Sequence, residues 1–246
     1  TEPIIVYIFL ALVFSAFIKG SLGLGFSTIC LALLVQVIEL KIAISIVLFP
    51  SLLSNFLVMW DAGHYRVSLR LFWSMLAMAV PGMLIGLQLL RQDDNTISLF
   101  MLGFVLIAYG AWGYNNHSFR LREGLMKPLN PLIGLATGAV NGATGSQIFP
   151  IMPYLMSLPI SREVLIQTIN ASFTLCSLIM LVGLSYFGSL DLNQSVYFSA
   201  GIIPVLCGVW LGNQARKRMS EEVYRRSVMI LLIVLGILLL LRQLSS

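Results

Sequence analysis

Lys19 stands in an otherwise apolar stretch and opens a run of small residues, Lys19-Gly20-Ser21-Leu22-Gly23-Leu24-Gly25. A second run, Asn141-Gly142-Ala143-Thr144-Gly145-Ser146-Gln147, repeats the pattern with Gly20 and Gly142 122 positions apart. A lysine at membrane depth costs about 2.5–3.5 kcal/mol on insertion scales, so it faces a cavity, a partner or a ligand. All ten acidic residues of the chain fall in expected loops or at segment ends, which leaves Lys19 without a carboxylate. A lone cation among backbone amides makes an anion site. The plainer alternative is a lysine that snorkels to the membrane interface.

The second run supplies neutral donors in Asn141, Thr144, Ser146 and Gln147, and Ser21, Ser27 and Thr28 match them in the first half. Glycines allow close backbone approach, and hydroxyls and amides can wrap a compact oxyanion. The expected binding set is therefore Lys19, Gly20, Ser21, Gly23, Gly25, Asn141, Gly142, Thr144, Gly145, Ser146 and Gln147. Asn55 (near Ser51 and Ser54) and the pair Gln167 and Asn170 either extend a polar path or join helices. Residues three apart share a helix face, as Gln167 and Asn170 do.

Other chemistry finds little support. Cys30, Cys176 and Cys207 lack metal-ligand spacing and read as small buried residues. No Ser, Thr or Cys has a histidine or acid within its own segment, so an intramembrane hydrolase lacks an activated nucleophile. No metal or cofactor is expected. His64 and His117 read as loop residues.

The elements that position these runs follow from composition. Hydrophobic residues make up 58% of the 246-residue chain and charged residues 10%, with a mean hydropathy of +0.92. Such a chain is an integral membrane protein, and its long continuous apolar runs predict helices rather than a barrel. The opening apolar run lacks a basic leader and cleavage site and reads as mature structure. Single spans are expected near 40–60, 68–90, 96–114, 162–186, 194–214 and 222–243. Two broken segments, near 3–37 and 131–158, hold the glycine runs between arms too short to cross comfortably alone.

The halves match beyond the breaks: Gly82-xxx-Gly86 with Gly208-xxx-Gly212, and Gly110 with Gly236, each 126 positions apart. This predicts a first repeat over 1–114, a connecting loop over 115–130 and a second repeat over 131–246. If each broken segment is a re-entrant hairpin, eleven Lys and Arg residues share one face and three the other. The positive-inside rule favours that arrangement, with inverted halves, both termini outside and a cytoplasmic 115–130 loop. Pairs of shorter spans in place of each hairpin would give the same sidedness. The net charge of +5 thus reports topology, with no nucleic-acid partner implied. Gly82, Gly86, Gly208 and Gly212 read as close helix contacts, with Gly142 shared between the ladder Gly134-Gly138-Gly142 and the break. Exposed small-residue faces would also suit a homodimer. Trp60, Tyr65, Trp73, Trp112, Tyr114 and Tyr224 read as interfacial anchors.

With its duplicated core, its breaks at Lys19–Gly25 and Asn141–Pro150, and Pro150-xx-Pro153 before a polar-rich span, the chain resembles the sulfite exporter TauE/SafE family. The resemblance implies an inner-membrane carrier of sulfite, thiosulfate or organosulfonates. The residues themselves point to an anion, and leave open a carboxylate or other oxyanion and a channel in place of a carrier. The expectation is an all-α polytopic protein that moves a small anion by alternating access around the paired breaks.

Overall fold

In the computed structural model, the described residues are 2–22, 25–92, 94–115, 120–188, 205, 207–212, 214 and 221–245. Their regular structure is all helix, joined by short turns and loops, and no strand occurs among them. The elements are α1 (Glu2–Leu22), α2 (Phe26–Leu34), α3 (Leu40–Ala62), α4 (Tyr65–Leu90) and α5 (Thr96–Tyr114). A 3₁₀ turn, Glu123–Leu125, leads into α6 (Met126–Thr144), α7 (Ile151–Met156), α8 (Arg162–Tyr186) and α9 (Glu221–Ser245). Residues 207–212 are also helical. The span expected near 194–214 lies mostly outside the described residues.

Six helices among the described residues are long and apolar enough to cross a membrane: α1, α3, α4, α5, α8 and α9. The presence of α1 corrects one expectation. Its 21 residues rise about 31 Å at 1.5 Å each, so the first arm is not too short to cross. The helix continues through Lys19, Gly20 and Ser21 because Gly20 admits the backbone of Val209 beside it and Ser21 Oγ donates to Phe17 O at 2.8 Å. The first break is therefore shorter than the sequence suggests and ends at Gly25, whose φ of +93° suits glycine.

Ends of the bundle are identified by their contacts. At the first end, Lys41 Nζ donates to Gln92 O at 2.9 Å, Arg91 lies 5.3 Å over the Phe187 ring, and Arg242 donates to Gln36 O at 2.9 Å. At the second end, Ser68 and Thr168 share a 2.8 Å hydroxyl bond, Leu121 N–H donates to Ser157 O at 2.9 Å, and Arg225 donates to Gly113 O. The Tyr7 hydroxyl donates to Leu33 O at 2.8 Å, so the open ends of α1 and α2 lie together at the first end. The Tyr154 hydroxyl donates to Asn130 Oδ1 at 2.6 Å, which joins the open ends of α6 and α7 at the second. The two hairpins enter the bundle from opposite ends.

Small residues set how the long helices pair. A Cβ on Gly82, Gly86, Gly134 or Gly138 would strike backbone of the facing helix, so α4 and α6 touch backbone to backbone. Gly142 belongs to the same ladder, facing Met83 O and the backbone of Gly86. Residues 207–212 pack on α1 in the same way, with Gly208 against Val13 and Ala16 and Gly212 against Phe17 and Ser21. In α5 and α9, Gly103 and Gly236 face each other. Without a hydrophobic drive between helices in lipid, such close approach is a main source of association. These glycine faces are thus occupied within the chain.

Two expectations are corrected in detail. Cys30 and Cys176 are buried, whereas Cys207 is exposed on segment 207–212. Trp60 and Trp73 are exposed at 70% and 65%, as anchors should be. Trp112 instead packs inward, stacked on Tyr109 with ring centroids 5.9 Å apart. His117 and the side chain of Tyr224 lie outside what is described.

Candidate functional site

The last turn of α1 directs Lys19 into the bundle, where it is 7% exposed. Its Nζ donates to Ser54 Oγ at 2.6 Å and to Asn55 Oδ1 at 3.2 Å, both on α3. The Phe26 ring centroid lies 6.0 Å away. None of these partners carries a negative charge, and the one ion pair among the described residues, Arg226 with Glu222, lies elsewhere.

From Lys19 a string of polar side chains crosses from one hairpin to the other. Asn55 Nδ2 donates to Ser51 Oγ at 3.3 Å, and Ser51 and Ser27 hydroxyls lie 3.3 Å apart. Ser27 Oγ then donates to Gln147 Oε1 at 3.3 Å, and Gln147 Nε2 donates to Ser177 Oγ at 2.6 Å. Thr28 and Ser146 share a second hydroxyl bond of 3.2 Å. The two breaks, separated in sequence by most of a repeat, meet side chain to side chain. Ser27, Thr28, Ser51, Asn55, Ser146, Gln147 and Ser177 are all buried.

Local structure explains the second tip. Gly145 ends α6 with φ +72°, its N–H donating to Asn141 O at 2.7 Å. The Thr144 hydroxyl bonds Val140 O at 2.7 Å and accepts from Ser146 N at 3.1 Å. Residues 146–150 leave the helix, pass a cis Phe149–Pro150 bond and enter α7.

Two cavities of about 10 Å³ flank this polar string. Lys19, Gly25, Ser27, Thr28, Asn55 and Asn170 line the first. Ser27, Ser51, Asn141, Gly145 and Gln147 line the second. Each has room for about one water. Asn141 Nδ2 is buried without a hydrogen-bond acceptor, beside the Cys176 thiol. An amide donor left open beside a polar cavity is a group that a ligand oxygen or a water would satisfy.

A third cavity, of about 850 Å³, lies at the second end. Gly25, Thr28 and Ile148 belong to both its floor and the wall of the Lys19 cavity. Arg162 and Arg225 line the same cavity where α8 and α9 begin.

The expected binding residues therefore divide. Lys19, Gly25, Asn141, Gly145 and Gln147 line the small cavities, and Ser146 joins the tips. Gly20 and Gly142 serve helix packing, and Ser21 Oγ donates to Phe17 O and to Gly212 O at 3.1 Å, so these three line neither small cavity. Thr144 shapes the turn. Gly23 lies outside the described residues. Of the path residues, Asn55 and Asn170 line the Lys19 cavity, whereas Gln167 faces a groove with Ser68 and Leu76 on α4. Ile148, Phe173 and Ser177 line or brace the centre without any polar signal or repeat that would single them out. No cluster able to hold a metal occurs among the described residues.

Against known proteins, the family model described as sulfite exporter TauE/SafE matches residues 8–239. No curated protein and no solved structure matches the chain.

Proposed function

The chain belongs to the sulfite exporter TauE/SafE family, a family of membrane transporters, and from that premise we propose that it is a secondary carrier that exports a small sulfur oxyanion or sulfonate. The observation that carries this reading is the buried Lys19 ammonium, held only by uncharged oxygens where the two hairpin tips meet. An anion arriving there would supply the countercharge that these oxygens lack. The open Asn141 amide and the hydroxyls of Ser27, Thr28, Ser51 and Ser146 would then take the oxyanion's remaining lone pairs.

Centres of about 10 Å³ support a carrier over an open channel, because no oxyanion fits through them without movement of the tips. The large cavity at the second end shares Gly25, Thr28 and Ile148 with the Lys19 cavity, which supports access to the tips from that end. Among the described residues the second end carries Arg66, Arg70, Arg120, Arg122, Lys127, Arg162, Arg225 and Arg226, against Lys41, Arg91 and Arg242 at the first. That asymmetry supports a cytoplasmic second end in an inner membrane, with both termini outside. Hairpins entering from opposite ends support reading the halves as inverted repeats, an arrangement that gives two equivalent ways to close the site. Export of each negative charge from an inside-negative cell releases about 2.3 kcal/mol per 100 mV.

Sulfite flux in proteoliposomes tests the reading. Lys19→Met should lower the rate at saturating substrate, or raise the half-saturating concentration, by at least about tenfold, equal to about 1.4 kcal/mol. Wild-type flux in the mutant would remove Lys19 and the central site from the mechanism.

A further inference from the structure

We propose that the groove between α3, α4 and α8 at the second end holds one anionic phospholipid: its phosphate on Arg66 and Arg70, a headgroup hydroxyl on Gln167, an acyl chain along Leu69, Leu76 and Val80. The inference stands apart from the transport reading and needs only the membrane-spanning helices. It starts from a side chain that the central site leaves unused. Gln167 is 1% exposed, and its Oε1 meets no hydrogen-bond donor among the described residues. A buried acceptor left without a donor is costly, so a donor from outside the chain is the physical expectation. Gln167 faces a groove of about 400 Å³ walled by Met59 of α3, by Tyr65, Leu69, Leu76 and Val80 of α4, and by Leu175 of α8. That volume falls within the range of ligand sites, about 300–1,000 Å³.

Depth and charge identify the occupant. The Ser68 and Thr168 hydroxyls lie 2.8 Å apart, which sets Gln167, the neighbour of Thr168, level with Ser68. Arg66 and Arg70 flank Ser68 two residues to either side, at that same level, and both are exposed. Arg66, Arg70, Trp73 and Ala77 follow one another at helical spacing on one face of α4, and Ala77 lines the groove. Two cations therefore lead directly into an apolar wall. Trp60 and Trp73 are exposed at the same end, as rings at headgroup level are. From Ser68 to Val80 the helix advances about 18 Å at 1.5 Å per residue, close to one leaflet of a hydrocarbon core about 30 Å thick. No Asp or Glu lines the groove. Glu163, one turn before Gln167 on α8, is exposed and has His64 and Arg162 as charged neighbours. A free phosphate would use the cations and leave the groove unfilled. A zwitterionic lipid would bring a second cation beside two arginines. An anionic lipid with a hydroxylated headgroup suits the charge, the open amide oxygen and the apolar length together.

Native mass spectrometry of the full chain released from detergent tests the site with three lipids of identical chains. Phosphatidylglycerol has the charge and the hydroxyls, phosphatidylmethanol the charge alone, and phosphatidylcholine neither. We expect the first equivalent of phosphatidylglycerol to bind at least about threefold tighter than phosphatidylmethanol, the factor of one hydrogen bond. Against phosphatidylcholine the gain should be at least about tenfold, from two basic side chains near a bilayer surface. Arg66→Gln combined with Arg70→Gln, both exposed changes, should erase the preference for charge. Gln167→Leu should erase the preference for the hydroxyl, and its burden on folding is small because Oε1 has no bond to lose. Ala77→Trp, an exposed change that fills the groove, should weaken all three lipids. Equal affinity for any two of the lipids would overturn the site. So would a charge preference that survives loss of both arginines, a hydroxyl preference that survives Gln167→Leu, or unaltered binding in Ala77→Trp.

Discussion

Asn55 turns its Oδ1 toward the Lys19 ammonium at 3.2 Å and its Nδ2 toward Ser51 at 3.3 Å, so one amide orients the cation and starts the polar string between hairpins. On the proposed reading, its lack of charge is what leaves Lys19 available to an anion. In Asn55→Asp, a carboxylate of the same shape would stand beside Lys19 and act as a built-in competitor for the transported anion. That variant should remain folded and lose at least about tenfold in sulfite affinity. Asn55→Ala should lose less, and the order of the two by flux or titration checks the argument. At this scale the sequence was informative where a residue type was out of place. Lys19 and the polar set of 141–147 stand out against their apolar surroundings, and they do line or brace the centre. Ser177 and Phe173 carry no such mark, because a serine or phenylalanine in a membrane helix is ordinary until its neighbour is known.

Helix pairs depend on glycine more than on any other residue type. Gly138 receives the backbone of Ala79 and Met83 from α4, so a branched side chain there must push two helices apart. Gly138→Val should destabilise by at least about 1–3 kcal/mol, the range for overpacked cores. Thermal unfolding in detergent would show it, with Gly124→Ala as the control, since Gly124 has open space around it. Gly25 tests a different property. A Cβ there would meet only Ile29 and Ile148 side chains, at 3.4 and 3.9 Å, so space is adequate and the φ of +93° is the difficulty. Gly25→Ala should cost about 1–2 kcal/mol, read as a lower Tm.

These same glycines explain why glycine spacing locates the breaks in the sequence but does not mark where the helices end. In water a Gly-rich run ends a helix, while in a bilayer the backbone gains from staying hydrogen-bonded and small residues are spent on close contact. Gly20 and Gly142 therefore remain helical, whereas Gly25 and Gly145, at the described ends of the breaks, have positive φ.

Among the described residues, a cavity lies toward the arginine-rich end, and its floor adjoins the small Lys19 cavity between the tips. If the second end is cytoplasmic, a single cysteine at Ser157, which lines that cavity, should react with a membrane-impermeant maleimide in inside-out vesicles and resist it in intact cells. A cysteine at Gln92, at the first end, should show the reverse; the background needs Cys207 replaced because it is exposed. Matching accessibility at both positions would refute the assigned sidedness. All-helical architecture and the pairing of two breaks were legible from hydropathy and repeated glycine spacing. Which helix would pack on which was not, because glycine ladders say that a face is close without naming its partner.

That pairing is exchanged across the chain: α4 adheres to α6, and segment 207–212 adheres to α1. A gene cut in the 115–125 connection would yield two polypeptides, each holding a hairpin stripped of the helix that braces it. Neither fragment should insert as a stable body, yet co-expressed they have every contact needed to reassemble. Any moving body built on these contacts would thus draw helices from both halves of the sequence.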